Sequence, residues 1–167
     1  MEKLTIDPIN KNLSEAVLVK ATNVKKKKPK TILEYKYTLR CGHNISIHPK
    51  CSNIHGEFWI ITITLYKKDY DPTADAYIMD FGDIKTILDS YFSKYDHKFM
   101  TVDPKLHEAI NKIKPNNSIL MPMEPSCENL SYFWLNELNS LFNSEILQVR
   151  VCESEESKCA TTKLDTD

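Results

Sequence analysis

The chain has 167 residues, of which 41% are hydrophobic and 27% are charged, and its net charge is −1. These values are ordinary for a globular domain, and the balanced charge gives no general reason to bind nucleic acid or an anionic membrane. No hydrophobic run reaches the roughly 18 residues of a membrane span and the N-terminus lacks a signal-peptide core, so we expect a cytoplasmic protein.

The first 30 residues give the weakest pattern, and we treat residues 1–30 as an extension of a single domain at 31–167. The segment "SEAVLVKATNV" could add a strand. The basic run "KKKKPK" at 25–30 could be a localisation signal or a polyanion-binding patch, although such runs are more often solvated turns or linkers.

Two strands follow. The segment "ILEYKYTLR" (32–40) mixes β-branched and aromatic residues, and "EFWIITITLY" (57–66) alternates hydrophobic and polar positions. We expect an antiparallel pair joined by a polar loop. In the second strand, Glu57 heads the hydrophobic face that is formed by Trp59, Ile61, Ile63 and Leu65.

The hydrophobic spacing then becomes helical. The segment "YIMDFGDIKTILDSYFSKY" predicts a helix, "DPKLHEAINKIKPNN" a shorter and weaker one that ends at Pro115, and "PSCENLSYFWLNELNSLF" a third with Ser126 as its N-cap. The predicted buried stripe of the first is Ile84, Ile87, Leu88, Tyr91 and Tyr95, and that of the last is Leu130, Phe133, Trp134, Leu138 and Leu141.

Two strands end the chain. The segment "EILQVRVCE" (145–153) returns to a period of two, which places Leu147, Val149, Val151 and Glu153 on one face, and "SKCATTKL" could form a short last strand. The cysteine count is odd, and in a reducing compartment we expect all five to be free thiols: Cys41, Cys51, Cys127, Cys152 and Cys159.

Several polar residues stand next to these elements, but each has an ordinary structural explanation when it is taken singly. Their order along the chain is far more specific. It is His43, then Cys51 with His55-Gly56-Glu57, then Asp80-Phe81, Asp96-His97, Ser126-Cys127-Glu128 and Glu153-Ser154. This series, over about residues 32–163, resembles the family of 6-pyruvoyl- and 6-carboxy-tetrahydropterin synthases. Two features depart from that family: Glu57 replaces its third histidine ligand, and "LRCGH" replaces an aromatic, alanine-rich segment.

The resemblance implies a zinc-dependent lyase that eliminates triphosphate from 7,8-dihydroneopterin triphosphate, giving 6-pyruvoyl- or 6-carboxy-tetrahydropterin for tetrahydrobiopterin or queuosine biosynthesis. The implied Zn²⁺ ligands are His43, His55 and Glu57. The implied catalytic residues are Cys51 as the general base and Asp96 with His97 as a second acid–base unit. The implied substrate-binding residues are Glu153, which would hold the pterin ring, and Glu128 and Cys127, which would assist it.

The family's fold further implies an α+β domain of the tunnelling fold. Its sheet would be antiparallel and four-stranded, with two helices on one face in the order ββααββ. Such units pair edge to edge into an oligomeric barrel, so we expect a homo-oligomer, either a trimer or a hexamer, whose assembly covers the sheet edges.

Two other interpretations stay open. The first is a diverged, inactive family member that binds a pterin or a purine without turnover. The second is a binding module that uses "KKKKPK" on RNA, and it is weaker because basic and aromatic residues are not interleaved. The expected partner is therefore the pterin triphosphate, with no nucleic acid and no membrane.

Overall fold

The computed structural model describes residues 30–142, 145–154 and 158–164, without the side chains of residues 145 and 147. The segment "SEAVLVKATNV" and most of "KKKKPK" lie outside these ranges. The strands are β1 (Ile32–His43), β2 (His55–Tyr66), β3 (Phe99–Thr101), β4 (Ser118–Leu120), β5 (Glu145–Glu153) and β6 (Cys159–Lys163). The helices are α1 (Phe81–Phe92), α2 (Pro104–Ile113) and α3 (Cys127–Asn139).

The described strands form one mixed sheet in the order β4-β3-β1-β2-β5-β6. The four long strands pair antiparallel as predicted, but β3 and β4 add a parallel edge beside β1. The arrangement of four strands and two helices that the resemblance implied therefore lacks β3, β4 and α2, although the segment "DPKLHEAINKIKPNN" did predict α2. Strands of three residues are too short to show alternation, and for that reason the sequence pattern did not reveal them.

Helices α1 and α3 pack against one face of the sheet and bury its hydrophobic side chains. The rings of Phe92 in α1 and Trp134 in α3 meet edge to face, with their centroids 5.2 Å apart, and this contact joins the helices over the core. Ser126 caps α3 as predicted by accepting a hydrogen bond from the amide of Asn129. Leu135 is buried in place of the predicted Leu141, because α3 ends before that residue.

None of the helices in the described ranges combines the length and the hydrophobicity that crossing a bilayer requires.

Strands β1 and β2 are longer than the sequence pattern indicates. The predicted ends placed His43 after the first strand and His55 before the second, whereas both histidines lie in strands and face each other across the pair. Side chains alternate between the faces of a sheet, so His43 shares the helix-covered face with Leu39 and Cys41, and His55 shares it with Glu57 and Trp59. The pairing of β1 with β2 therefore places polar side chains at one end of the hydrophobic core.

Strand β5 departs from its predicted pattern through a bulge. Opposite β2 the register shifts between Thr64 and Leu65, so Ile146 rather than Leu147 is the residue paired with Leu65. Ile146 is fully buried there. Beyond the bulge, Val149, Val151 and Glu153 keep the predicted common face.

The prediction of five free thiols was wrong for two cysteines. Cys152 in β5 and Cys159 in β6 are direct cross-strand partners and form a disulfide, with their Cα atoms 4.0 Å apart. The register of an antiparallel pair brings the two side chains together, and spacing along the chain does not reveal that register. The remaining cysteines, Cys41, Cys51 and Cys127, are free.

Two glycines beside the paired histidines of β1 and β2 allow a matched test of packing. Gly42 and Gly56 face each other across β1 and β2. A Cβ atom on Gly42 would lie 2.9 Å from Phe99 Cδ2 and 3.0 Å from the His55 carbonyl oxygen, whereas one on Gly56 would meet nothing within 4 Å. We expect Gly42→Ala to lower the free energy of unfolding by about 1–3 kcal/mol, the usual cost of overpacking. Gly56→Ala should leave it unchanged, and equal urea midpoints for the two variants would contradict this account.

Candidate metal centre and active site

Four possible metal-binding side chains converge where β1 ends, β2 begins and β5 ends. One nitrogen or oxygen atom from each residue lies within 4.8 Å of those of the others, and the four are His43, His55, Glu57 and Glu153. All of them belong to the helix-covered face of the sheet, because Glu153 is paired with Trp59 of β2. This group is called the donor cluster below.

Backbone carbonyls orient both rings of the donor cluster. The Nδ1–H of His43 donates to the carbonyl of Pro125, and that of His55 donates to the carbonyl of Asn53, each over 2.8 Å. A neutral imidazole that donates from Nδ1 keeps its lone pair on Nε2. Both Nε2 atoms are therefore available to a metal ion, and second contacts of this kind typically hold metal-binding histidines in place.

The Nε2 atom of His43 is buried and, within the described part of the chain, has no hydrogen-bond partner. Glu153 Oε1 lies 2.9 Å from it, which suits an ion pair with a protonated ring or a shared metal ion with a neutral ring. Burial lowers the pKa of His43 and so favours the neutral ring, whose buried Nε2 lone pair then needs a donor or a cation. The residues present therefore fit a divalent metal ion.

The pKa shifts of His43 and Glu57 agree with a metal site at the donor cluster. Burial, and secondarily the positive charge of His55, lower the pKa of His43, against the opposing hydrogen bond to Pro125 and the attraction of Glu153. The ring is thus held in its neutral, metal-binding form. Burial and the neighbouring charge of Glu153 raise the pKa of Glu57, while His55 and Lys158 act in the opposite direction.

Glu57 is the one member of the donor cluster that lines a nearby groove of about 390 Å³. The lining of this groove includes Glu57 and Gly56 from β2, Arg40 from β1, and His97 with Lys98 from the turn after α1. The groove thus places one member of the donor cluster beside the predicted acid–base histidine. Its three basic side chains would favour an anionic ligand.

The predicted acid–base pair forms at the turn after α1. Nδ1 of His97 lies 2.8 Å from Asp96 Oδ2, with 71% of the His97 side chain exposed. His97 has a φ of 57° and its amide donates to the carbonyl of Arg40, so the turn is fixed against β1. The carboxylate orients the ring and leaves Nε2 as the nitrogen for proton transfer.

Cys51 lies in the loop between β1 and β2, outside the donor cluster, and is half-buried. Its amide donates to Nδ1 of His48 over 2.9 Å, and its carbonyl accepts from the amide of Ile45 over 2.7 Å. The hydrogen bond to the exposed His48 side chain thereby fixes the loop. In the described residues, His48 is not a member of the donor cluster.

The other two predicted substrate residues begin α3. Burial, followed by the charges of Glu153 and Glu128, raises the pKa of Cys127 to about 11, so its thiol stays protonated beside the carboxylates. Its Sγ also approaches the carbonyl of Lys158 at 3.6 Å. Glu128 is exposed in the first helical turn. Cys127 therefore adjoins the donor cluster, whereas Glu128 faces solvent.

Sequence reasoning missed two parts of this site. It assigned Glu153 to the substrate alone, because the register that brings β5 beside the two histidines is not visible in the chain. It also missed the carbonyls of Pro125 and Asn53 that hold the rings, since every residue has a carbonyl and the sequence carries no signal for it.

Three similar solved structures are an uncharacterized protein from Wolinella succinogenes (14% identity, TM-score 0.69, 83% of this chain and 100% of that chain), 6-pyruvoyl tetrahydropterin synthase from Caenorhabditis elegans (17%, 0.61, 82% and 97%) and the synthase from Plasmodium vivax (16%, 0.57, 81% and 99%). At these identities they establish the shared fold, and no curated protein matches the sequence. The 6-pyruvoyl tetrahydropterin synthase family profile matches residues 32–163, and the chain therefore belongs to that family.

Proposed function

We propose that this protein is a zinc-dependent lyase that acts on 7,8-dihydroneopterin triphosphate and eliminates triphosphate to give 6-pyruvoyl- or 6-carboxy-tetrahydropterin. The observation that carries the proposal is the donor cluster, one member of which, Glu57, lines a groove together with His97. Family membership supports the substrate class. The basic side chains of Arg40 and Lys98 in the same groove suit a triphosphate.

In this proposal, His43, His55 and Glu57 hold the zinc ion. Two histidines and one carboxylate are an established ligand set for catalytic zinc. When bound, zinc supplies the Lewis acidity that eases proton removal from a carbon next to a hydroxyl or carbonyl group. The carbonyls of Pro125 and Asn53 keep both rings turned toward the ion.

The proton transfers are assigned to Cys51 and to the pair of Asp96 and His97. Cys51 acts as the general base from its loop, which His48 anchors through the Cys51 amide. Asp96 accepts from Nδ1–H of His97 and fixes the ring, so that Nε2 gives or takes the proton on the groove side.

Recognition of the pterin ring is assigned to the end of β5 and the start of α3. The carboxylate of Glu153 can accept from the ring's amino group and from an adjacent N–H. Cys127, held as a neutral thiol, packs beside Glu153, and Glu128 contributes from the exposed first turn of α3.

We also propose that the protein is a homo-oligomer, a trimer or a hexamer. Among the described strands, β4 and β6 form the two edges of the sheet. Exposed sheet edges favour pairing with another chain. Edge-to-edge pairing of copies of this chain would cover both edges of the sheet.

The function is tested by incubating the protein with 7,8-dihydroneopterin triphosphate, with and without Zn²⁺, and determining product masses. We expect release of triphosphate and a product with the mass of 6-pyruvoyl- or 6-carboxy-tetrahydropterin, only when zinc is present. Binding of the pterin without any product would instead support the inactive, ligand-binding family member.

The role of Cys51 is tested by Cys51→Ala. Because Cys51 lies outside the donor cluster, the variant should keep its zinc and its oligomeric state. Turnover should fall on the order of 10²-fold or more, which is the usual contribution of a positioned general base. Metal analysis and steady-state rates give the two readouts, and loss of zinc would make Cys51 a ligand instead of a base.

The role of Glu57 is tested by a pair of substitutions. Glu57→Ala should bring the zinc content well below one ion per subunit, as measured by elemental analysis, because one donor of the cluster is lost. Glu57→His should retain zinc and turn over faster than the natural protein, because a neutral imidazole donates less charge and leaves the ion a stronger Lewis acid. Full zinc in Glu57→Ala would remove this residue from the ligand set.

A further inference from the structure

We propose that Glu153 is a fourth protein ligand of the metal in the substrate-free protein, in addition to any contact that it makes with the pterin. The proposal rests on the zinc site proposed above and extends its ligand set. Glu153 Oε1 lies 2.9 Å from Nε2 of His43 and belongs to the same donor cluster as His55 and Glu57. The shared chemistry is that of a divalent cation bound by two imidazoles and two carboxylates.

The contact between Glu153 and His43 joins two groups that both bind divalent cations. Nδ1–H of His43 donates to the Pro125 carbonyl, so Nε2 is the ring nitrogen that faces Glu153 Oε1, at 2.9 Å. An imidazole nitrogen and a carboxylate oxygen are both established zinc ligands, so one ion can bind the two atoms.

The distances fit metal ligands. A tetrahedral zinc site with bonds of about 2.1 Å places its donor atoms about 3.4 Å apart. The separation of His43 Nε2 from Glu153 Oε1 is 2.9 Å, and that of His55 Nε2 from Glu57 Oε1 is 4.0 Å. These two values lie on either side of the tetrahedral spacing, so small side-chain movements would bring all four donors onto one ion.

The backbone holds Glu153 in position for this contact. Its amide donates to the carbonyl of Lys158 over 3.0 Å, and the following amide, that of Ser154, donates to the carbonyl of Phe58 over the same distance. Ser154 adopts a φ of 60°, and strand β5 ends there. The Glu153 backbone is thus fixed at the mouth of the cluster, beside its partner Trp59.

The charges also balance. Two neutral imidazoles and two carboxylates carry a total charge of −2, which neutralises a divalent cation in a partly buried site. With three ligands alone, Glu153 would stand 2.9 Å from a ligand of the ion as an unused negative charge. A carboxylate at that place is attracted to the cation more strongly than to any neutral group nearby.

The proposal is tested by zinc affinity in the absence of substrate. Metal-free protein is prepared by chelation and titrated with Zn²⁺ for the natural chain, Glu153→Gln and Glu137→Gln. Glu153→Gln keeps the size of the side chain and removes the charged donor, so we expect its zinc affinity to fall by more than ~100-fold, beyond the roughly 10–100-fold typical of residues that only orient a ligand. Glu137→Gln is the matched control, because Glu137 is an exposed carboxylate of the same helix as Cys127 but outside the donor cluster, and its zinc affinity should not change.

A competing role for Glu153 predicts that Glu153→Gln does not lose zinc affinity. If Glu153 only occupied His43 Nε2 and kept it from the metal, Glu153→Gln would bind zinc equally well or more tightly, and either result would overturn the proposal. Replacing Zn²⁺ with Co²⁺ gives a second readout. The Co²⁺ spectrum of Glu153→Gln should differ from that of the natural chain, because one ligand of the ion changes, and identical spectra for the two proteins would also overturn the proposal.

These measurements separate the two proposals, since none of them uses the pterin or measures turnover. A natural chain that binds zinc through Glu153 but yields no pterin product would contradict the proposed function alone. A chain that turns over, with zinc affinity unchanged by Glu153→Gln, would contradict the fourth ligand alone.

Discussion

The register of β1 against β2 is the constraint on which the site depends. It pairs His43 with His55 and, two steps further into the sheet, Cys41 with Glu57. Because side chains alternate between the faces, a slip of one residue would turn one histidine away from the other and separate the metal-binding groups. The register is fixed by the hydrophobic face that continues from the same strands into the core, so the free energy of packing also fixes the geometry of the donor cluster.

Trp59 belongs to the hydrophobic core and also contacts the candidate site. The indole N–H donates to the carbonyl of Cys41 over 3.0 Å, and the ring meets His43 edge to face at 4.9 Å between centroids. Burial of the His43 ring removes it from water, and the Pro125 carbonyl at the start of α3 replaces one of its lost hydrogen bonds. Helix α3 therefore both covers the sheet and orients a predicted metal ligand.

The chain keeps the fold of its family, and its candidate site brings two imidazoles together with two carboxylates. Glu57 lies near the ring of His55, and Glu153 lies close to the ring of His43. The basic residues Arg40, His97 and Lys98 line a groove together with Glu57. These basic groups near the donor cluster suit an anionic substrate next to a divalent cation.

The sequence alone determined the four long strands, the two core helices, the Ser126 cap and the order of the polar residues, because hydrophobic period and capping chemistry are local properties. Tertiary structure decided the rest. The pairing of Cys152 with Cys159, the strand positions of both histidines and the approach of Glu153 to His43 all follow from register between strands. Register depends on cross-strand packing of residues far apart in the chain, and a bulge such as the one opposite Leu65 shifts it without any mark in the local pattern.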